Sequence, residues 1–480
     1  MRATNHCRTI VVFEIEQGMD SLSMNSQSTD RHDSFQEEDV FLDFFAEGNI
    51  YRPDGEYYCD GEKIANFKAK IMQLLGDLFP PKETERPIIR RLGQGSYNIV
   101  VGVSVTPKIH ALKGDSSYNA RVVRLLGSPP KQQIFALRIP VGSWFDFNGQ
   151  SGSIVRSDVH KDVATLQVLG QRLSVPIPIV KEFDLTEINA LGRPYMLQSF
   201  VPGDSLAKLW PDMNLDQKAS AIRQLTRIVE TIASITSPAA GQISFDNITS
   251  PSSEIKLDQI LIPTADQAYH RPNLNLFEKR EAPHQTPCQF LIDCCNRWMR
   301  YESLIGPPDG FKESLWYSII EIIHVLDDMG WLGDRFHLMH GDLFARNVMV
   351  EVNSRTSVKI TGIVDWDMAC FVPKILALRS PFWAWKGINY DESDENKVAK
   401  APSDRVGKAL KAAFLSTATQ DYITMALEDE GVIARKLYNV VTGGLLTSRQ
   451  RTMAAGLIQH WNTICPKEYP SRVRKLKSIL

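Results

Sequence analysis

The runs H-G-D-L-F-A-R-N-V-M-V-E-V, beginning at His340, and S-V-K-I-T-G-I-V-D-W-D, ending at Asp367, carry the residues best suited to chemistry. Asp342 is followed five residues later by the amide Asn347, and Asp365 follows an apolar run. An acid, an amide and a second acid are what magnesium-dependent phosphoryl transfer needs, since that reaction asks a protein for positioning and charge neutralisation rather than covalent chemistry. Asp342 can take or orient the proton of an acceptor. Magnesium takes oxygen ligands, usually one or two carboxylates beside substrate phosphates, which suits Asp365. Asn347 can offer an amide oxygen without adding negative charge next to an anionic triphosphate. His340, grouped with Asp342 in the catalytic loop 340–347, is expected to hold that loop by hydrogen bonds rather than to shuttle protons. Asp367 reads as a loop-fixing carboxylate and Trp366 as packing.

These residues must be brought together by their flanks. V-M-V-E-V and V-K-I-T-G-I-V are strand-like, and a hairpin between them places Asn347 beside Asp365. Upstream, I-I-R-R-L-G-Q-G-S-Y-N-I-V-V-G-V-S-V predicts a second hairpin whose turn holds Gly93, Gly95, Ser96, Tyr97 and Asn98. Glycines there let backbone N–H groups approach phosphate, although Asn98 replaces the third glycine of G-x-G-x-x-G and an ordinary hairpin has the same look. A strand bringing a cation to the phosphates is offered twice, around Lys113 and around Arg138. Arg138 is preferred because Pro129-Pro130 ends a polar excursion before it and a helical pattern, Val159 to Leu173, follows some twenty residues later. That helix supplies Asp162 as the partner of Arg138. The strand-like P-Y-M-L-Q-S-F-V then leads between two lobes, with Gln198 and Phe200 as further nucleotide contacts.

The rest of the chain gives the frame. Its 480 residues are long enough for two or three cores, and 43% apolar with 23% charged residues is the balance of a folded protein. A net charge of -2 gives no general support for a nucleic-acid partner. Seven scattered cysteines without zinc-type pairing predict free thiols in a reducing compartment. The run Thr9 to Phe13 is too short, and too soon followed by Glu14 and Glu16, for a secretory signal; no stretch is long enough to span a membrane, and the cytoplasm is the expected location. Asn247-Ile248-Thr249 reads as a chance sequon, and no membrane partner is expected. Residues 1–35 read as a disordered tail and 36–87 as a helical extension holding two helices. Residues 88–200 form a nucleotide-binding lobe, and 201–480 a helical lobe. Further helices are expected at Cys288–Tyr301, Glu313–Met329, Arg405–Leu415, Tyr422–Leu427, Ile433–Val441 and Arg451–Ile464. The basic run ending in R-V-R-K-L-K reads as a solvated end.

H-G-D-L-F-A-R-N with I-V-D-W-D resembles the aminoglycoside phosphotransferase and choline-kinase-like family, in the form of its fungal members. G-Q-G-S-Y-N, A-L-R-I-P and P-Y-M-L-Q-S-F-V-P-G extend the likeness back to about residue 88. The resemblance implies an α+β, protein-kinase-like two-lobed fold, with a small β-rich N-lobe and a larger, mostly helical C-lobe. It implies Asp342 as catalytic base, Asn347 and Asp365 as metal ligands, ATP and Mg2+ as cofactors, and a small-molecule acceptor with a hydroxyl or amino group. The chain departs from the pattern in having Arg138 and Asp162 where kinases generally have lysine and glutamate, a pair that is chemically sound because arginine forks phosphate oxygens and reaches a shorter acid. A nucleotide- or partner-binding module without catalysis is the other reading of that departure. A protein kinase is disfavoured by the absence of H-R-D order, of Phe-Gly after Asp365 and of an A-P-E segment. Acceptor selection falls to residues 240–287 or to Phe382–Lys400, where Asp391–Glu395 is either a solvated charge run or an amine-holding group near aromatics.

Overall fold

The computed structural model describes residues 58–59, 62–94, 98–108, 132–140, 152–250, 254–262, 280–387 and 392–465. The tail 1–35, the first of the two early helices, Gly95, Ser96, Tyr97, Lys113 and the C-terminal basic run lie outside the described residues. Two compact units divide the rest: one holds residues 58–163 with Pro178–Phe200, the other Ala164–Ile177 with residues from Val201 onward.

The first unit opens with a short pair, β1 (Tyr58–Cys59) and β2 (Glu62–Lys63), and continues into the helix Ile64–Leu78. Its main sheet comprises β3 (Ile88–Gln94), β4 (Asn98–Val105), β5 (Gln133–Pro140), β6 (Val180–Asp184) and β7 (Tyr195–Ser199). Strand order is β3-β4-β5-β7-β6, and every pairing is antiparallel. Along β4 the alternate residues Ile99, Val101, Val103 and Val105 are almost wholly buried, the period-2 signature of a sheet with one covered face. Phe67, Ile71, Leu74, Leu75 and Leu78 recur at helical spacing and enter the same core as the strand residues, and Phe79 stacks on Phe135. Each such side chain contributes about 1.5–3 kcal/mol by leaving water.

The second unit is mostly helical and carries three small sheets. Its strands are β8 (Asp204–Ser205), β9 (Thr236–Ser237), β10 (Gln242–Ile243), β11 (Leu257–Asp258), β12 (Phe336–Met339), β13 (Val348–Val352), β14 (Val358–Ile363) and β15 (Cys370–Pro373). They form the groups β10-β11, β15-β12-β9 and β14-β13-β8. Helices span Leu215–Ala233, Pro287–Ile305, Gly310–Asp328, Arg405–Leu415, Gln420–Leu427, Asp429–Gly443 and Ser448–Ile464. Several begin on a capping residue: Asn214 and Gln217, Thr286 and Gln289, and Thr447 and Gln450 each form a reciprocal capping box. A β-rich unit and a mostly helical one make up the α+β organisation that the sequence predicts.

Two helices differ in extent from the sequence expectation. The helix carrying Asp162 runs from Gly152 to Gly170, starting earlier than Val159 and ending before Leu173. The helix read from Ile433 begins at Asp429. Both helices start ahead of the buried stripe that apolar periodicity marks, while the first stops short of Leu173, at Gly170, a residue that favours a helix end.

Candidate active site

Two nested antiparallel pairings build the site. The chain leaves β12, forms the loop from His340 to Asn347, runs through β13 and β14, forms a second loop over Val364–Ala369 and returns as β15. β13 pairs with β14, and β12 with β15, with Met339 opposite Cys370 and Val348 opposite Ile363. Each loop is thereby anchored at both ends to the other. The outer edge of β14 is covered by a side chain from the helix Leu215–Ala233. The Gln224 amide donates to the Val358 carbonyl at 2.7 Å and accepts from the Ile360 N–H at 3.1 Å, imitating a neighbouring strand.

Within this frame the loops are cross-tied. The Val364 N–H donates to the Asn347 carbonyl at 3.0 Å. The Asn347 side-chain amide donates to the Asp342 carbonyl and to Asp342 Oδ2, both at 2.8 Å. With its nitrogen facing two acceptors, the amide turns its oxygen away from Asp342 and keeps it for another partner. Arg346 donates from Nη2 to both carboxylate oxygens of Asp342, at 2.6 and 2.8 Å.

His340 is 2% exposed and sits between the loops. Its Nδ1 accepts the Asp342 N–H at 3.2 Å, so Nε2 carries the proton and donates to the Val364 carbonyl at 3.1 Å. Burial drives its pKa down to about 4, against the smaller raising effects of the Val364 hydrogen bond and the Asp367 charge. The ring lies 4.5 Å from that of Trp366, whose Nε1–H donates to the Ile363 carbonyl at 3.0 Å.

Backbone geometry at both loops is unusual. Asp365 has φ of 67°, and among the described residues it is the only non-glycine with positive φ. Gly341 has φ of 84°, and a Cβ there would run into the Met368 carbonyl, so only glycine fits.

The remaining sequence candidates lie in the first unit. Gly93, next to last in β3, lies opposite Val100 beside a bulge, and Asn98 opens β4 opposite Pro140. Arg138 on β5 and Asp162 on its helix are both buried, with Nη2 and Oδ2 3.7 Å apart. Gln198 on β7 is 6% exposed, and its Oε1 is buried with no hydrogen-bond partner among the described residues. The Phe200 N–H donates to the Ile134 carbonyl at 3.3 Å, and its ring lies 5.2 Å beneath the Arg90 guanidinium.

The acidic run at 391–395 has a different role from either expected one at its last residue. Glu395 is buried and accepts from Arg435 Nε at 2.5 Å, while Arg379 Nη2 lies 3.5 Å from its other oxygen. Arg435, 1% exposed, also donates to the Met425 and Ala426 carbonyls. Glu395 is therefore neither a solvated charge nor available to an amine. Asp391 and the side chains of Glu392 and Asp394 lie outside the described residues. Trp383 and Trp385 are buried. Cys288, Cys294 and Cys295 are buried free thiols, and burial pushes Cys294 up to about 12, which leaves it unreactive. No described helix is long and apolar enough to cross a membrane.

Residues 150–373 match the family model described as the phosphotransferase enzyme family, APH. Over these residues the chain is similar to that family. The matched part contains Asp162, Gln198, Phe200, His340, Asp342, Asn347 and Asp365, and begins after the glycine turn and Arg138. Curated relatives include "Altered inheritance of mitochondria protein 9, mitochondrial" of Candida tropicalis, 29% identical over 97 residues, covering 20% of this chain and 14% of that protein. The protein of the same name from Saccharomyces cerevisiae strain YJM789 is 23% identical over 227 residues, covering 45% of this chain and 34% of its own length. The chain thus spans about a third or less of the length of these relatives. Among solved structures, a GDP complex of wild-type aminoglycoside 2'-phosphotransferase-IIIa is 14% identical, with 82% of this chain and 97% of that one covered and a TM-score of 0.38.

These names correct the expected location. The curated relatives are named as mitochondrial proteins, which points away from the cytoplasm. The cytoplasmic expectation rested on the lack of a long uncharged apolar run, a test for secretory signals. Mitochondrial targeting segments are amphipathic and need no such run.

Proposed function

We propose that the chain is a phosphotransferase that moves the γ-phosphoryl group of ATP to a hydroxyl or amino group of a small molecule, with magnesium. The observation that carries the reading is the joint fixing of Asp342, Asn347 and Asp365. Asn347 holds the Asp342 carboxylate by its side chain and the Asp365 loop by its carbonyl.

In this reading the acceptor oxygen or nitrogen forms a bond to the γ-phosphorus as the bond from that phosphorus to the bridging oxygen breaks. ADP leaves with the electron pair, and the acceptor's proton passes to the Asp342 carboxylate. Asn347 and Asp365 offer an amide oxygen and a carboxylate, a donor set that fits a hard cation sharing its other positions with phosphate and water. When bound, magnesium neutralises charge on the phosphate oxygens. The family's coarse chemistry agrees with this donor set, and among the described residues no group of three His, Cys, Asp or Glu competes as a metal site. His340 works as a neutral brace, since its Nδ1 is occupied by the Asp342 N–H. Within the first unit, Arg138, paired with Asp162, is a buried cation of the kind suited to binding phosphate. The orphan acceptor Gln198 Oε1 suits an exocyclic amine of a purine.

The test is ATP consumption by the wild type and by Asp342→Asn across a panel of hydroxylated and amino metabolites. Expected is acceptor-dependent turnover that falls by about 10² to 10⁴ in the variant. No turnover with any acceptor, together with no effect of magnesium-ATP on the melting temperature, overturns the reading.

A further inference from the structure

Arg346 stands between the two residues on which the proposed reaction turns, in the 3-10 turn Ala345–Asn347. Its pairing with Asp342 is not explained by stability. The arginine side chain is 60% exposed and the aspartate 21%, and ion pairs of that kind add about 0–1 kcal/mol. The pairing geometry is also particular. One nitrogen, Nη2, serves both carboxylate oxygens, where a structural arginine–carboxylate pair commonly uses two nitrogens side by side. The guanidinium carbon lies 4.8 Å over the Phe344 ring, which fixes the plane of the group without burying it.

The donors on Asp342 are unequal as a result. Oδ2 accepts from both Arg346 and Asn347, whereas Oδ1 accepts from Arg346 alone. Two donors occupy the lone pairs of Oδ2, and one remains on Oδ1. We infer that Arg346 is a positioning residue for phosphoryl transfer: with Asn347 it sets the rotation of the Asp342 carboxylate so that Oδ1 is the oxygen presented to the acceptor. Without the guanidinium, Asn347 alone holds Oδ2, and the carboxylate is free to turn about that single bond. This inference rests on the phosphotransferase reading and names the residue that orients its base.

The experiment compares wild type, Arg346→Ala and Arg346→Lys, using magnesium-ATP with water or the best acceptor of the panel. Turnover by Arg346→Ala is expected to fall about 10- to 100-fold in kcat, the loss of one charge-assisted hydrogen bond. KM for ATP should be unchanged, as should the rise in melting temperature on adding magnesium-ADP. Arg346→Lys, which keeps the charge at one nitrogen, should recover part of the rate. Millimolar guanidinium chloride should restore Arg346→Ala in part, where sodium chloride at equal ionic strength does not. An Arg346→Ala rate within twofold of an active wild type overturns the inference and leaves the phosphotransferase reading standing. So does a loss that guanidinium fails to reverse, or one accompanied by a lower melting temperature and a lost nucleotide effect. An inactive wild type that magnesium-ADP does not stabilise removes both.

Discussion

The imidazole of His340 joins the two loops of the candidate site, accepting the Asp342 N–H on one nitrogen and donating to the Val364 carbonyl, 3.1 Å away, from the other. The arrangement works only for the neutral ring, because protonation of Nδ1 sets a donor against the Asp342 N–H. Folded His340 has its pKa lowered to about 4 from 6.5, so the unfolded chain binds a proton that the folded one refuses between those values. The stabilising effect is present above about pH 6.5 and is lost as pH falls toward 4, by roughly 3 kcal/mol in full. Urea midpoints measured from pH 7.5 to 4.5 should fall less steeply for His340→Gln than for the wild type, after both are referred to pH 7.5.

Backbone strain at Asp365 predicts an unusual pattern of substitutions. Asp365→Gly should match or exceed the wild-type melting temperature, since glycine adopts φ of 67° freely, while losing the stabilisation by magnesium-ATP. Asp365→Val should lose about 1–3 kcal/mol in addition, because a β-branched residue fits that region poorly. Calorimetric scans with and without magnesium-ATP separate the two effects.

Arg138 and Asp162 pair a long cation with a short acid across 3.7 Å. Arg138→Lys should leave the acid short of its partner and weaken magnesium-ATP binding by about tenfold, the worth of one charged hydrogen bond. Asp162→Glu added to Arg138→Lys restores the reach and should recover most of that loss. Titration calorimetry of the single and double variants reads the difference directly.

Glu395 and Arg435 are buried together, and removing Arg435 leaves the Glu395 charge to the more exposed Arg379, 3.5 Å away. Arg435→Met should cost about 3–5 kcal/mol in chemical denaturation. Adding Glu395→Leu should recover part of it, though the Met425 and Ala426 carbonyls still lose their donor.

What the sequence made legible was local. The strands around the Asp342 to Asp365 stretch announce themselves by apolar runs, and the ladder between Val348 and Ile363 follows from their spacing. The helix Arg405–Leu415 has the bounds that the sequence predicts, with its buried stripe from Gly407 to Phe414 reaching close to both ends. What escaped were partners far apart in the chain: Gln224 on the edge of β14, and Arg435 on Glu395, pairings that no periodicity encodes. Arg346 escaped for another reason. An exposed arginine four residues from an aspartate is an ordinary sight, and only its single-nitrogen grip distinguishes it. The location failed because the residues read for it answer a question about secretion.

The nested pairing of β12 with β15 around β13 with β14 has a consequence for the order in which the chain folds. Residues 336–373 close their ladders through short connections, so their loop-closure entropy is small and they can pair before distant helices arrive. Acid, amide and second acid then form as one cooperative unit, and the amide of Val364, bonded at its centre, should be among the slowest in the chain to exchange its hydrogen.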